Sequence, residues 1–345
     1  MQKTDNNLFK RTINYIVISM NGMAYGLFST LIIATIIATL AGFLPKNSDI
    51  YTFLINISTV LKQLMGVGIG IGIAWAFKID GLKLIAAGVA GGIASYMAGT
   101  LGFKIGDPLT VYFVVIITIE LVKFILRNKT PIDIIIIPLL SILIAGVITV
   151  LLYAPVSSLT TAVGKYIEVA TDYQPFLMGI VIAVIMGMAL TAPISSAAIA
   201  IAIGLDGIAG GAAVVGCSVQ IIGFAIMIRK DNNIGTIISV AIGTSMLQFK
   251  NIVKKPIIWL PTIIVSAILG PIATMVLKTQ TSPIGAGMGT SGLVGQIDTY
   301  NTMGNSSQMW LSILVLQILL PIILVYVVDV LFRKFNFIKD GDLKI

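Results

Sequence analysis

Residues 131–152 read PIDIIIIPLLSILIAGVITVLL, with Asp133 the only charge in the stretch. As a helix rising about 1.5 Å per residue, it would extend ~33 Å, enough to cross a hydrocarbon core of about 30 Å. A run of roughly 18 or more apolar residues is long enough to span a bilayer, whereas shorter runs suit core helices. Working outward, stretches 13–44, 51–79, 82–101, 110–127, 175–191, 208–228, 234–249, 256–277 and 309–332 read the same way. The expected fold is an all-α polytopic membrane protein with about ten transmembrane helices. Composition agrees: 57% of residues are hydrophobic, only 22 are basic and 14 acidic, and mean hydropathy is +1.03. A water-soluble chain of this length could not bury so much apolar surface.

The sequence contains no histidine, which removes the usual proton relay, zinc ligand and phosphoryl carrier together. Cys217, the single cysteine, lies mid-span, so no disulfide can form within the chain. No catalytic residue, cofactor or metal ligand set stands out. The net charge of +8 is better explained by lysines on a cytoplasmic face than by nucleic acid. Residues 1–11 are polar and lack a short apolar core with a cleavage site, so the first apolar stretch reads as a retained helix.

The chain is expected to form one membrane domain, 1–345, with a first helical half at 1–153 and a second half at 175–345. Residues 154–174, APVSSLTTAVGKYIEVATDYQ, mix apolar and charged positions at helical spacing and suggest an interfacial linker helix. Counting lysine and arginine over ten crossings places both termini in the cytoplasm. It leaves Lys46, Lys104, Lys165, Arg229, Lys230 and Lys278 outside. Two segments do not read as plain spans. Residues 191–206 are apolar but short, and 281–301 are dense in glycine and too polar for lipid. Irregular backbone at membrane depth survives only beside protein or a wet cavity. Both are therefore expected to be re-entrant and to line a binding cavity. A weak likeness at an offset of about 125 residues, pairing 131–152 with 256–277 and Asp80-Gly81 with Asp206-Gly207, suggests a parallel internal repeat.

Gly66, Gly68, Gly70 and Gly72, with Gly88 and Gly92, have the spacing of close helix packing. Gly285, Gly287 and Gly289 lack the lysine of a phosphate loop. Charged groups inside lipid are costly and mark Lys62, Glu120 and Asp298 for scrutiny. Glu120 sits three residues before Lys123, the spacing of a helical ion pair. Ser19, Asn21, Gln248 and Asn251 read as interhelical hydrogen bonders. A sugar site needs many donors and acceptors, usually with a carboxylate. Asp298, Gln296, Thr290, Ser291, Asn301, Ser195, Ser196 and Gln220 are the candidate substrate-binding residues. Trp259, Trp310 and Tyr300 suit either a sugar platform or, more commonly, the aromatic belt of the interface.

Three stretches, TAPISSAAIAIAIGLDGIAGGAAVVGCSVQIIGFA (191–225), GTSMLQFKN (243–251) and SPIGAGMGTSGLVGQID (282–298), resemble the EIIC-like membrane proteins of the bacterial sugar phosphotransferase system. The likeness is to a compact subgroup that includes proteins described as regulators of a secreted toxin. It implies a multi-pass permease of the bacterial plasma membrane, usually a homodimer. Such a permease holds a sugar for phosphorylation by a separate cytoplasmic IIB protein, itself charged by IIA. The basic stretches 123–129 and 250–255 would dock that partner. The sequence departs from the better-known permeases in having no histidine, and no glutamate beyond Glu168. Two rival functions stay open: a membrane sensor or regulator that lost transport, and an ion-coupled secondary transporter using Lys62 or Glu120.

Overall fold

The computed structural model describes residues 2–100, 108–127, 130–171, 174–192, 194 and 196–345. Regular structure among them is helical, apart from one isolated bridge between Gly207 and Thr281. Six helices are long and apolar enough to cross a membrane: Asn14–Ala41, Pro108–Ile125, Asp133–Val156, Gly207–Lys230, Pro256–Val276 and Ser307–Lys334. A seventh is added if Asp49–Gln63 and Met65–Ala76, bent by 52°, are one broken span. The chain is an all-helical polytopic membrane protein, as expected. Its residues group into two compact units, Met1–Leu159 and Thr160–Ile345.

The first unit holds α1 (Gln2–Leu27), which continues through a π turn into α2 (Ile33–Ala41), then α3 (Asp49–Gln63), α4 (Met65–Ala76), α5 (Gly81–Thr100), α6 (Pro108–Ile125) and the start of α7 (Asp133–Thr171). Helix α4 is its hub. A methyl group on Gly72 would strike the Gly22 carbonyl of α1, and one on Gly70 would strike the Ala87 carbonyl of α5. Gly66 meets Gly91 in the same way. The glycines therefore let backbones touch, which is how helices gain packing energy in lipid. Ser19 and Tyr112 share a buried hydrogen bond of 2.7 Å across α1 and α6. Glu120 makes the expected pair with Lys123 at 2.9 Å, and also accepts from the Tyr15 hydroxyl at 2.8 Å. Lys62 is exposed in the last turn of α3, beside the bend. Helix α7 is continuous, so residues 154–171 prolong it instead of forming a helix of their own.

The second unit holds α8 (Pro175–Thr191), α9 (Ser196–Ala202), α10 (Gly207–Met227), α11 (Ile234–Ile242), α12 (Phe249–Lys254), α13 (Leu260–Pro271), α14 (Pro283–Ala286), α15 (Val294–Met303), α16 (Ser307–Leu311) and α17 (Leu320–Lys334). Helix α10 is its axis: in the most apolar 18-residue stretch of the span Gly207–Lys230, 89% is buried within the protein. At one end, the Gly207 carbonyl accepts from the Thr281 N–H at 3.4 Å, and the Thr279 hydroxyl donates to Ser312 at 2.9 Å. At the other, Arg229 Nη1 donates to Asp329 at 2.6 Å. Spans Gly207–Lys230 and Ser307–Lys334 thus run parallel, with Pro256–Val276 antiparallel to both.

Two segments leave by the end at which they enter. Residues 175–206 begin where the Thr274 hydroxyl donates to the Pro175 carbonyl at 2.7 Å, and finish beside Thr281. Residues 231–255 begin and finish on the C-terminal segment. Asp231 accepts from the Gly341 N–H at 2.8 Å, Asn232 donates to the Leu343 carbonyl at 3.0 Å, and Gln248 donates to the same carbonyl at 2.9 Å. Lys255 closes the latch on Asp342 at 2.6 Å. Burial raises the Asp342 pKa, but the Lys255 and Lys339 bonds outweigh it and hold the carboxyl below its usual range. Arg229 and Lys230 therefore lie at the end shared with Arg333 and the C-terminal residues, which corrects the opposite side inferred from charge counting. The cause is local. Helix α11 stops after nine residues at Gly243 (φ −94°, ψ −86°), and a 3-10 turn at Ser245–Gln248 reverses the chain.

Asp329 is 0% exposed and accepts from both Arg229 and, at 3.0 Å, Arg333 Nε. A buried carboxylate is tolerable only when so paired. The repeat is half legible. Gly81 and Gly207 share left-handed backbone (φ 55° and 54°) at the start of their helices. The likeness ends there, because the 18-residue α6 has only the broken α11 as its counterpart.

Candidate functional site

Around α10 the second unit gathers the polar side chains that lipid would otherwise exclude. The glycine-rich segment lies directly on it. Gly289 has φ +52°, and a methyl there would come within 2.6 Å of the Cys217 carbonyl carbon. Gly292 (φ 54°) and Leu293 (φ 60°) follow in left-handed backbone, the second an uncommon conformation for a branched side chain. Helix α15 starts from that turn and carries Gln296 and Asp298.

Asp298 is half-buried and turned towards its own chain. Its Oδ2 accepts from the Thr281 hydroxyl, from the Ser282 N–H at 2.7 Å and from the Gly285 N–H at 3.2 Å. Its Oδ1 accepts from the Ser282 hydroxyl at 2.9 Å. A methyl on Gly285 would lie 2.6 Å from the aspartate Cβ. The carboxylate thus clamps the entry to the glycine-rich segment and satisfies N–H groups that a four-residue helix cannot.

Gln296 is 7% exposed. Its Nε2 donates to Gln317 Oε1 at 2.8 Å, and Gln317 donates to the Thr299 hydroxyl at 3.1 Å. Gln296 Oε1 has no partner, and neither has the buried Ser291 hydroxyl. Thr290 donates to the Ala241 carbonyl at 3.0 Å, and Ser196 to the Gly287 carbonyl at 2.7 Å. These two hydroxyls tie α11 and α9 to the glycine-rich segment.

Gln220, fully buried on α10, centres a third cluster. Its Oε1 accepts from the Trp259 indole at 3.0 Å, from Thr262 at 3.0 Å and from Thr191 at 3.1 Å. Thr191 also meets Ser245 at 2.8 Å. An indole N–H can only donate, so it fixes which end of the amide faces it. The Gln220 Nε2 group is left buried with no partner.

The structure thus places Asp298, Gln296, Ser291, Thr290, Ser196 and Gln220 on elements that pack round one helix, in three hydrogen-bonded groups. Asn301 is exposed and stands apart from them. Ser195 lies outside the described residues. Trp259 belongs to the Gln220 cluster and not to a simple belt. Trp310 and Tyr300 pack edge to face at 6.4 Å, with the Trp310 indole on Asn305 at 3.0 Å. Sequence reasoning passed over Thr191, Ser245, Thr262, Thr299 and Gln317. The hydroxyls resemble any others in a span, but Gln317 carries an amide in the middle of one and could have been noticed.

A buried polar atom without a partner costs about 1–3 kcal/mol. Gln220 Nε2 can donate, Gln296 Oε1 can accept and the Ser291 hydroxyl can do both. That set suits a ligand bearing hydroxyl groups. No group of three or more His, Cys, Asp or Glu able to hold a metal occurs among the described residues. In comparisons with known proteins, no curated protein and no solved structure matches the chain. The family described as "Phosphotransferase system, EIIC" matches residues 17–345.

Proposed function

Because the chain belongs to the EIIC family of the phosphotransferase system, a family of multi-pass permease-type membrane proteins, we propose that it binds and translocates a sugar for phosphorylation by a separate IIB protein. The reading rests chiefly on the buried, unpartnered polar atoms of Gln220, Gln296 and Ser291. A sugar's hydroxyls both donate and accept, which matches a free donor at Gln220, a free acceptor at Gln296 and a free hydroxyl at Ser291. Asp298 holds the glycine-rich segment in shape instead of gripping the sugar. Segments 175–206 and 231–255 act as re-entrant hairpins; with α5 counted as a span beside the seven above, eight crossings remain and both termini stay cytoplasmic. Moving Arg229 and Lys230 inward changes the basic-residue balance from fifteen against six to seventeen against four. The IIB protein docks on the basic stretches 123–129 and 250–255, where Lys255 is already committed to Asp342. The permease works as a homodimer.

Thermal stability of the purified protein against a panel of sugars tests this. A hundredfold excess over Kd adds about 2.7 kcal/mol to the folded state. Ser291→Ala, at a hydroxyl without a partner, should abolish the sugar-dependent rise while leaving the unliganded Tm intact, whereas Gln296→Leu should abolish it and also lower the Tm by orphaning Gln317. Failure of every sugar to raise stability would remove the reading. A sensor without transport is favoured by one observation, the occupation of the only carboxylate in the segment by its own chain. Sugar binding without IIB-dependent uptake into proteoliposomes would select it. Ion coupling loses ground, since Glu120 is engaged by Lys123 and Tyr15, and Lys62 is exposed.

A further inference from the structure

A cavity of about 230 Å³ lies wholly inside the first unit, between the start of α5, the later turns of α6 and Ser141 of α7. For scale, ~150 Å³ suffices to hold benzene. Its deeper wall is buried and apolar except for two hydroxyls, Thr118 at 1% exposure and Ser141 at 3%. The Thr118 hydroxyl has no hydrogen-bond partner. Nearer the surface stand the exposed Asp80 and the half-buried Lys83 and Lys123. Lys123 is held in place by Glu120 at 2.9 Å and over the Phe77 ring at 5.3 Å. Lys83 has no ion-pair partner among the described residues. With Lys123 offset by Glu120, Lys83 is the cation without an ion pair that stands above a buried, unsatisfied hydroxyl.

We propose that this cavity binds a phosphate-bearing ligand, with the phosphate at Lys83 and Lys123 and a hydroxyl or ester oxygen at Thr118. Lysine ammonium groups bind phosphate as point charges, and two of them line the mouth of the cavity. The apolar wall leaves room for a short organic body beyond the phosphate. Two sources share this chemistry, the headgroup of an anionic phospholipid and a soluble phosphate ester. The site is independent of the sugar site and involves none of its residues.

The test measures thermal shifts of the detergent-purified protein with glycerol 3-phosphate, with short-chain phosphatidylglycerol, and with short-chain phosphatidylcholine as the zwitterionic control, whose headgroup keeps the phosphate but has no net charge. A saturable rise with glycerol 3-phosphate assigns a soluble ester. A rise with phosphatidylglycerol but not phosphatidylcholine assigns a lipid headgroup. Lys83→Gln should weaken either ligand at least about tenfold. Thr118→Val is the sharper variant. It replaces an unpartnered buried hydroxyl with a methyl group, so the ligand-free Tm should hold or rise while affinity falls by a similar factor. Any sugar-dependent stabilisation should persist in both variants. The proposal is overturned if neither phosphate compound shifts the Tm, or if the shift survives both substitutions unchanged.

Discussion

Glycine-rich sequence occurs twice in this chain and does opposite things. In α4, Gly66, Gly70 and Gly72 sit inside an unbroken helix and meet the backbones of Gly91, Ala87 and Gly22. At 285–295 the glycines allow left-handed turns and a close approach to α10, and the chain never settles into a span. The difference lies in what separates them. In α4 the intervening residues are valine and isoleucine, which lipid and helix both accept. In the later segment they include Thr290 and Ser291, with Gln296 directly after, whose polar atoms need protein or ligand partners. Small residues bring helices together in the first case and make room for a site in the second.

The strongest test of the contrast is Gly70→Val. Its side chain would run into the Ala87 backbone, which cannot step aside. A loss of about 3 kcal/mol or more is expected, seen as failure to elute as a single folded species. In the irregular segment, Asp298→Ala should cost about 2–4 kcal/mol by orphaning the Ser282 and Gly285 N–H groups. Asp298→Asn, which keeps one acceptor oxygen, should lose about half as much, and melting curves would rank the two. If Asp298→Ala left the Tm unchanged and removed only sugar binding, the clamp would be wrong and the aspartate a ligand. Gly289→Ala combines a left-handed φ with a clash against Cys217 and should cost about 2–3 kcal/mol. The smallest effect sharpens the helical side. Gly92 faces only one methyl of Val67, at 3.0 Å, so Gly92→Ala should stay within about 1 kcal/mol of the parent and can gain stability.

Hydropathy made most of the helices legible, because 131–152 and its like have no alternative to lipid. It could not say which helices cross. Segments 175–191 and 234–249 are as apolar as true spans, and their return depends on contacts made far along the chain, such as Gln248 with Leu343. Counting basic residues then placed Arg229 on the wrong side, since one missed reversal flips everything between two hairpins. Asp329 was readable and overlooked, for it stands one helical turn before Arg333. At the site, Asp298, Gln296 and Ser291 stood out as polar residues among glycines. Whether a carboxylate serves its own backbone or a ligand is decided by which N–H groups lie within 3 Å, and spacing does not reveal that. Thr191 and Thr262 converge on Gln220 from separate helices, with Ser245 bonded behind Thr191, an arrangement no local pattern announces.

The pair between Arg229 and Asp329 joins residues a hundred positions apart. At a synthesis rate of about 5–20 residues per second, the guanidinium leaves the ribosome roughly 5–20 s before its carboxylate exists. During that interval the end of α10 must wait in water or among headgroups without the carboxylate it will meet. The span that follows brings Asp329 already bonded to Arg333 on its own helix, and it meets Arg229 as a second cation. The carboxylate arrives half satisfied while the guanidinium has waited for it, so the order of translation weighs on one partner more than on the other.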